Sequence, residues 1–182
     1  MANFSIVNST AIGGGNVQQA LAATYKSLAV FGNSSATGST VGAGAYRRGK
    51  LYDILVGTNT TPADTYLEFD VARITLGSTP TGIATLGISS LSSNFGLDPA
   101  DSNGFVNFAQ INSSGEVGIT ATTELWYVGI NQRASYRWVA APGSELVWPA
   151  VSSATAGNGI SIRARSGSYT GTATVTALWQ EQ

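Results

Sequence analysis

The stretch GNGISIRARSGSYTGTATVTALWQEQ, residues 157–182, alternates twice. Ile160, Ile162 and Ala164 take one side of a period-two repeat; Ser161, Arg163 and Arg165 take the other. In the second run Ala173, Val175, Ala177 and Trp179 alternate with Thr172, Thr174 and Thr176. Successive side chains of a strand point to opposite faces. The spacing therefore predicts two strands, each with an apolar face toward a core and a polar face toward water.

The same pattern extends back through the chain. Residues 51–56 are β-branched and aromatic. At 61–64 the run Thr-Pro-Ala-Asp is a turn, with Pro62 presetting φ and Asp64 capping the bend. In residues 66–76, Leu67, Phe69 and Val71 share one face and Glu68 and Asp70 the other. The apolar phase then switches to Ile74 and Leu76, which predicts a bulge or bend. Residues 83–88 read as a short strand and 89–104 as a long polar loop. Residues 116–122 and 124–130 are strands; in the latter Trp126, Val128 and Ile130 face one way and Leu125 and Tyr127 the other. Two apolar faces predict a central strand. Residues 136–140 and 145–148 follow, separated by the turn at Pro142 and Gly143. Roughly eight to ten short strands with almost no helix predict an all-β domain, a jelly-roll-like β-sandwich.

The first 45 residues differ. GNSSATGSTVGAG, residues 32–44, reads as a Gly/Ser/Thr-rich arm or linker. Between it and the glycines at 13–15, Val17, Leu21, Thr24, Leu28 and Phe31 fall near helical spacing with Asn16 as N-cap. Tyr25 onward reads equally as a strand. The expected organisation is an N-terminal extended arm over 1–45 and a sandwich over 46–182.

Where arm meets sandwich, Gly44, Gly49 and Lys50 have the spacing of a phosphate-binding loop. That loop needs Ser or Thr after the lysine and a helix beyond it. Leu51 and a strand stand there instead, so a basic turn leading into a strand is the better reading.

Composition narrows the function. The chain has 182 residues, no cysteine and no histidine. Thiolate zinc sites, disulfide scaffolds, cysteine nucleophiles and imidazole-based acid–base chemistry lose their usual residues, which argues against an enzyme. No cofactor is expected. Charged residues make up 10%, against roughly 25% in an average soluble domain. With a net charge of −1, no basic excess is available for nucleic acid. Residues 1–15 lack the basic start and long apolar run of a secretory signal, and no membrane span is apparent. N-x-S/T triplets at Asn8, Asn33, Asn59 and Asn112 are read as chance in a Ser/Thr-rich chain. A hydroxyl-rich surface poor in charge suits a protein packed against copies of itself or a partner.

Few constellations carry chemistry. Glu68 and Asp70 could act as glycosidase partners or calcium ligands, though a solvated strand face accounts for them. Asp98, Asp101 and Asn103 only loosely resemble a calcium loop. Arg163 and Arg165 project from one face, and Arg133 and Arg137 are near each other across a turn; pairing with acidic groups of a partner is weighed against a solvated face. Trp148, beside Pro149, is either an exposed anchor or a core residue. Tyr46, Arg47, Arg48, Lys50, Trp148, Arg163 and Arg165 are the candidate partner-interface residues.

Three segments carry a resemblance: RRGKLYDILVGTNTTPADTYLEFDVARIT at 47–75, NQRASYRWVAAPGSELVWPA at 131–150, and the C-terminal stretch at 157–182. Together they resemble a family of capsid decoration, or cement, proteins of tailed bacteriophages, over most of 46–182. The resemblance implies a jelly roll bound to the major capsid protein on the outer surface of an icosahedral virion, as a homotrimer made in the host cytoplasm. It implies no catalytic residues. A carbohydrate- or receptor-binding module of the tail-fibre or spike type, with exposed Trp and Tyr stacking on sugar rings, is the alternative.

Overall fold

The computed structural model describes residues 2–8, 11–12, 15–16, 19–32, 48–61, 64–76, 84–85, 94–96, 108–111, 119–148, 157–169 and 171–181. Among them there is no helix. The strands are β1 (Ala2–Val7), β2 (Ala11–Ile12), β3 (Gly15–Asn16), β4 (Gln19–Ala20), β5 (Lys26–Gly32), β6 (Gly49–Thr58), β7 (Tyr66–Leu76), β8 (Ala84–Thr85), β9 (Asn94–Gly96), β10 (Phe108–Ile111), β11 (Ile119–Asn131), β12 (Tyr136–Val139), β13 (Leu146–Trp148), β14 (Gly157–Arg165) and β15 (Thr172–Glu181).

Two antiparallel sheets face each other, consistent with a β-sandwich. The first runs β12-β6-β15-β1-β9, with β13 also on β6 and β4 on β15; the second runs β11-β7-β14-β5-β10-β8. β2 and β3 form a separate pair. The two strands of the C-terminal stretch are not partners. β14 lies in the second sheet and β15 in the first, between β6 and β1, so the chain changes layer between Arg165 and Thr172. Ser166 holds that crossing: its hydroxyl donates to the Tyr66 carbonyl at 2.9 Å and accepts from the Tyr169 N–H at 3.0 Å.

The core lies between the sheets. Phe4, Ile6, Leu51, Ile54, Val56, Val175, Ala177 and Trp179 from one layer meet Leu28, Phe31, Leu67, Phe69, Val71, Ile160 and Ile162 from the other. An aromatic stack spans it: Phe4 and Trp179 at 4.6 Å, Trp179 and Trp148 at 5.6 Å, Trp148 and Phe31 at 5.6 Å. Burial of such side chains is the main force holding two sheets face to face.

Several expectations change. The division at residue 45 does not follow the sheets, because β1 lies in the first and β5 in the second. No helical turn forms at 19–25; Leu21 packs on the core and its N–H donates to the Gly171 carbonyl at 2.9 Å. β7 runs unbroken through its change of phase. The irregularity is on its neighbour, where Leu125 is extra between Glu124 and Trp126. Ile74 and Ala72 are apolar because, with Val30, they form a second buried cluster on the outer face. β14 was expected to have one wet face, yet Gly159 to Ala164 are all buried. β9 lies inside the expected 89–104 loop.

Candidate functional site

On the outer face of the second sheet, β7 and β14 are paired so that Asp70 stands opposite Arg163 and Glu68 opposite Arg165. Alternation put two acids on one strand and two arginines on the other, and this register turns them into a ladder. Arg163 Nε donates to Asp70 Oδ1 at 2.8 Å and its Nη2 to Oδ2; Arg165 Nε donates to Glu68 Oε2. The Tyr25 ring stacks on both guanidinium groups, 4.6 Å from that of Arg163 and 4.7 Å from that of Arg165. Its hydroxyl donates to Glu68 at 3.5 Å.

The ladder is graded. Asp70 is fully buried and the Arg163 side chain 9% exposed, whereas Glu68 and Arg165 are 19% and 44% exposed. Burial raises the Asp70 carboxyl above its ordinary value against the pull of Arg163. Burial, reinforced by the Asp70 charge, pushes the Tyr25 phenol up to about 12. Each carboxylate is engaged by its own guanidinium. Glu68 and Asp70 are thus not a solvated face, and Arg163 is spent inside the molecule.

Toward the edge of the sheet the ladder gives way to tyrosines. Tyr66 and Tyr127 touch through their hydroxyls and are 52% and 47% exposed. The Tyr66 ring lies over Gly129, where a side-chain carbon would sit 2.3 Å from the phenol oxygen. β11, which carries Tyr127 and Gly129, pairs only with β7 among the described residues. It was expected to be central and is instead an edge. Its inward residues Trp126, Val128 and Ile130 pack on the core, and its outward ones meet solvent.

Residues 132–135 carry the chain from β11 to β12, the edge of the first sheet, and Trp126 meets Tyr136 across the gap with ring centroids 5.5 Å apart. Beside β12, Leu55, Tyr136 and Val139 are 43%, 38% and 58% exposed. The charges here are also matched: Arg137 Nε donates to Asp53 at 3.0 Å, and Arg133 pairs with Asp64 at 2.8 Å. Arg133 and Arg137 thus hold different acids. A shallow cleft of about 300 Å³ lies between Leu55, Gly57, Gln132, Arg133, Thr174 and Thr176.

The candidate interface residues do not form one patch. Tyr46 and Arg47 lie outside the described residues, as do Asp98, Asp101 and Asn103. Arg48 is exposed at the start of β6, and Lys50 is half-buried, paired in register with Val147 and Gln180. Trp148 is not an exposed anchor; it is wholly buried, stacked on Phe31. Arg163 and Arg165 stand on the opposite layer. The residues missed were Leu55, Tyr66, Tyr127, Tyr136 and Val139; the two-sided apolar pattern of 124–130 was a signal for Tyr127 alone. Among the described residues no group of three or more acids could hold a metal ion, and no helix is long and apolar enough to cross a membrane. Comparison with known proteins finds no matching family model, no matching curated protein and no matching solved structure.

Proposed function

We propose that this chain is a structural virion protein: a jelly-roll decoration or cement protein that binds the major capsid protein on the outer surface of an icosahedral phage capsid and stabilises it through subunit contacts. The observation that carries this reading is the distribution of surface chemistry. All five large apolar side chains exposed among the described residues lie on, or one strand from, the edge formed by β11 and β12. The arginines around them are matched by internal acids. A neutral, apolar surface gathered along one border of the two sheets suits a protein held against other proteins. The family resemblance and the lack of histidine and cysteine point the same way. The test is to mix the purified chain with capsids stripped of it and pellet them. Stoichiometric co-pelleting supports the role, and a chain left in the supernatant overturns it.

A second reading rests on the Tyr66–Tyr127 pair. Two exposed phenol rings beside the Glu68–Arg165 pair resemble a stacking platform for a neutral sugar. Saturable binding on a glycan array, lost in Tyr66→Ala, would favour a carbohydrate-binding module.

A further inference from the structure

We infer that the β11 edge is where a second copy of this chain adds its own β11, so that the second sheet runs continuously across a two-fold axis. The inference deepens the assembly role proposed above and rests on it for its purpose. Its structural basis is separate.

A sheet edge exposes a row of backbone donors and acceptors, and proteins ordinarily blunt it with lysine, proline, bulges or a covering segment. β11 has the sequence ITATTELWYVGIN, thirteen residues without lysine, arginine or proline. Its irregularities lie at Ile119/Ala121 and Glu124/Trp126. From Trp126 to Asn131 the register on β7 is unbroken, so six residues present a regular outer edge with which no other described strand pairs. Another extended strand can pair with such an edge along its whole length.

The strand fits itself. An antiparallel two-fold pairing centred on Val128 sets Tyr127 of each copy opposite Gly129 of the other. The ring then meets the Tyr66 ring that fills the space over that glycine, an aromatic contact on the outer face. Trp126 falls opposite Ile130 on the inner face. Glu124, the one charged residue of β11, lies beyond the irregularity at Glu124/Trp126 and outside the regular segment, so no two acids face each other across the axis. Within residues 126–130 aromatic and apolar side chains meet one another, and the same strand supplies both sides, as an isologous contact requires. Charge raises no objection, because Arg133 and Arg137 are neutralised within each copy by Asp64 and Asp53. A two-fold pair also differs from the trimer that the family resemblance implies.

The experiment is the solution mass of the full chain across a micromolar concentration range, by sedimentation. The expected species has twice the 18.7 kDa chain mass. Lysines on the edge, in Thr123→Lys/Tyr127→Lys, are expected to weaken association at least tenfold, while Thr24→Lys, ahead of β5 and away from this edge, leaves it unchanged. Should the double variant fail to fold, amide exchange of the wild type decides: protection at 126–131 must rise with protein concentration. A chain that is monomeric throughout, a trimer, or an oligomer indifferent to the edge lysines overturns the inference. A dimer lost with the lysines but ignored by capsids upholds it and overturns the virion role instead.

Discussion

The ring of Trp148 occupies the space that a side chain on Gly49 would need. An ideal Cβ there would stand 1.8 Å from Trp148 Cζ2. The two residues are cross-strand partners on β13 and β6, so the glycine lets an indole lie across the strand and complete the aromatic stack of the core. Gly49→Ala is expected to cost about 2–4 kcal/mol, since neither the strand nor the buried ring can withdraw cheaply. Urea denaturation measures it. Pairing the change with Trp148→Leu should recover part of the loss, and a fully stable Gly49→Ala would mean that the ring does not lie there.

Asn8 extends the first sheet past the end of β1. Its side-chain amide donates to the Ala173 carbonyl at 3.0 Å, and its Oδ1 accepts from the Val175 N–H at 2.8 Å. It is fully buried, so this triplet is no glycan acceptor. Asn8→Ala would strand buried backbone groups, at a cost of about 1–3 kcal/mol. The Val175 amide should lose its exchange protection more than its neighbours do.

The Asp70–Arg163 pair is expected to behave asymmetrically. Arg163→Met alone leaves a carboxylate in a dry site and should destabilise by about 3–5 kcal/mol, while Asp70→Leu/Arg163→Met should lie much closer to the wild type. A double variant as unstable as the single one would show that the pair itself, rather than its matching, holds the sheet.

Tyr25 gives the fold an alkaline limit. Its phenol is raised from 10.0 to about 12 in the folded chain. The unfolded chain releases that proton first. The stabilisation is therefore complete below pH 10 and drains away as pH climbs toward 12. Phenolate absorbance should show a late-ionising tyrosine that Tyr25→Phe removes. The variant's stability should also fall less steeply than the wild type's over that interval.

Alternation made most strands legible. β6, β7, β14 and β15 lie where their periods put them, and the turns at Asp64 and at Pro142–Gly143 fall as expected. What alternation cannot report is what covers a polar face. Glu68, Asp70, Arg163 and Arg165 looked solvated because each strand was read alone; opposite charges on paired strands cancel, and a face that is polar in sequence becomes half dry in the sheet. The apolar outer positions of β11 carried the converse ambiguity, since a strand covered by its own chain and one awaiting cover read alike. β1 was hidden for another reason: its partner, β15, lies at the far end of the sequence.

That pairing bears on how the chain reaches its fold. Ala2 stands opposite Glu181 and Val7 opposite Thr176, so the centre of the first sheet forms only when a loop of nearly the whole chain closes. Relative to a ten-residue hairpin, such closure costs about 2–3 kcal/mol more in chain entropy. Folding should therefore be slow, in the millisecond-to-second range of sheet proteins rich in distant pairings. Until it finishes, β1 and β15 lie unzipped from each other, with nearly uncharged edges open to neighbouring chains. Yield on refolding should accordingly fall with concentration, and a covalent join between the paired ends should raise both rate and yield.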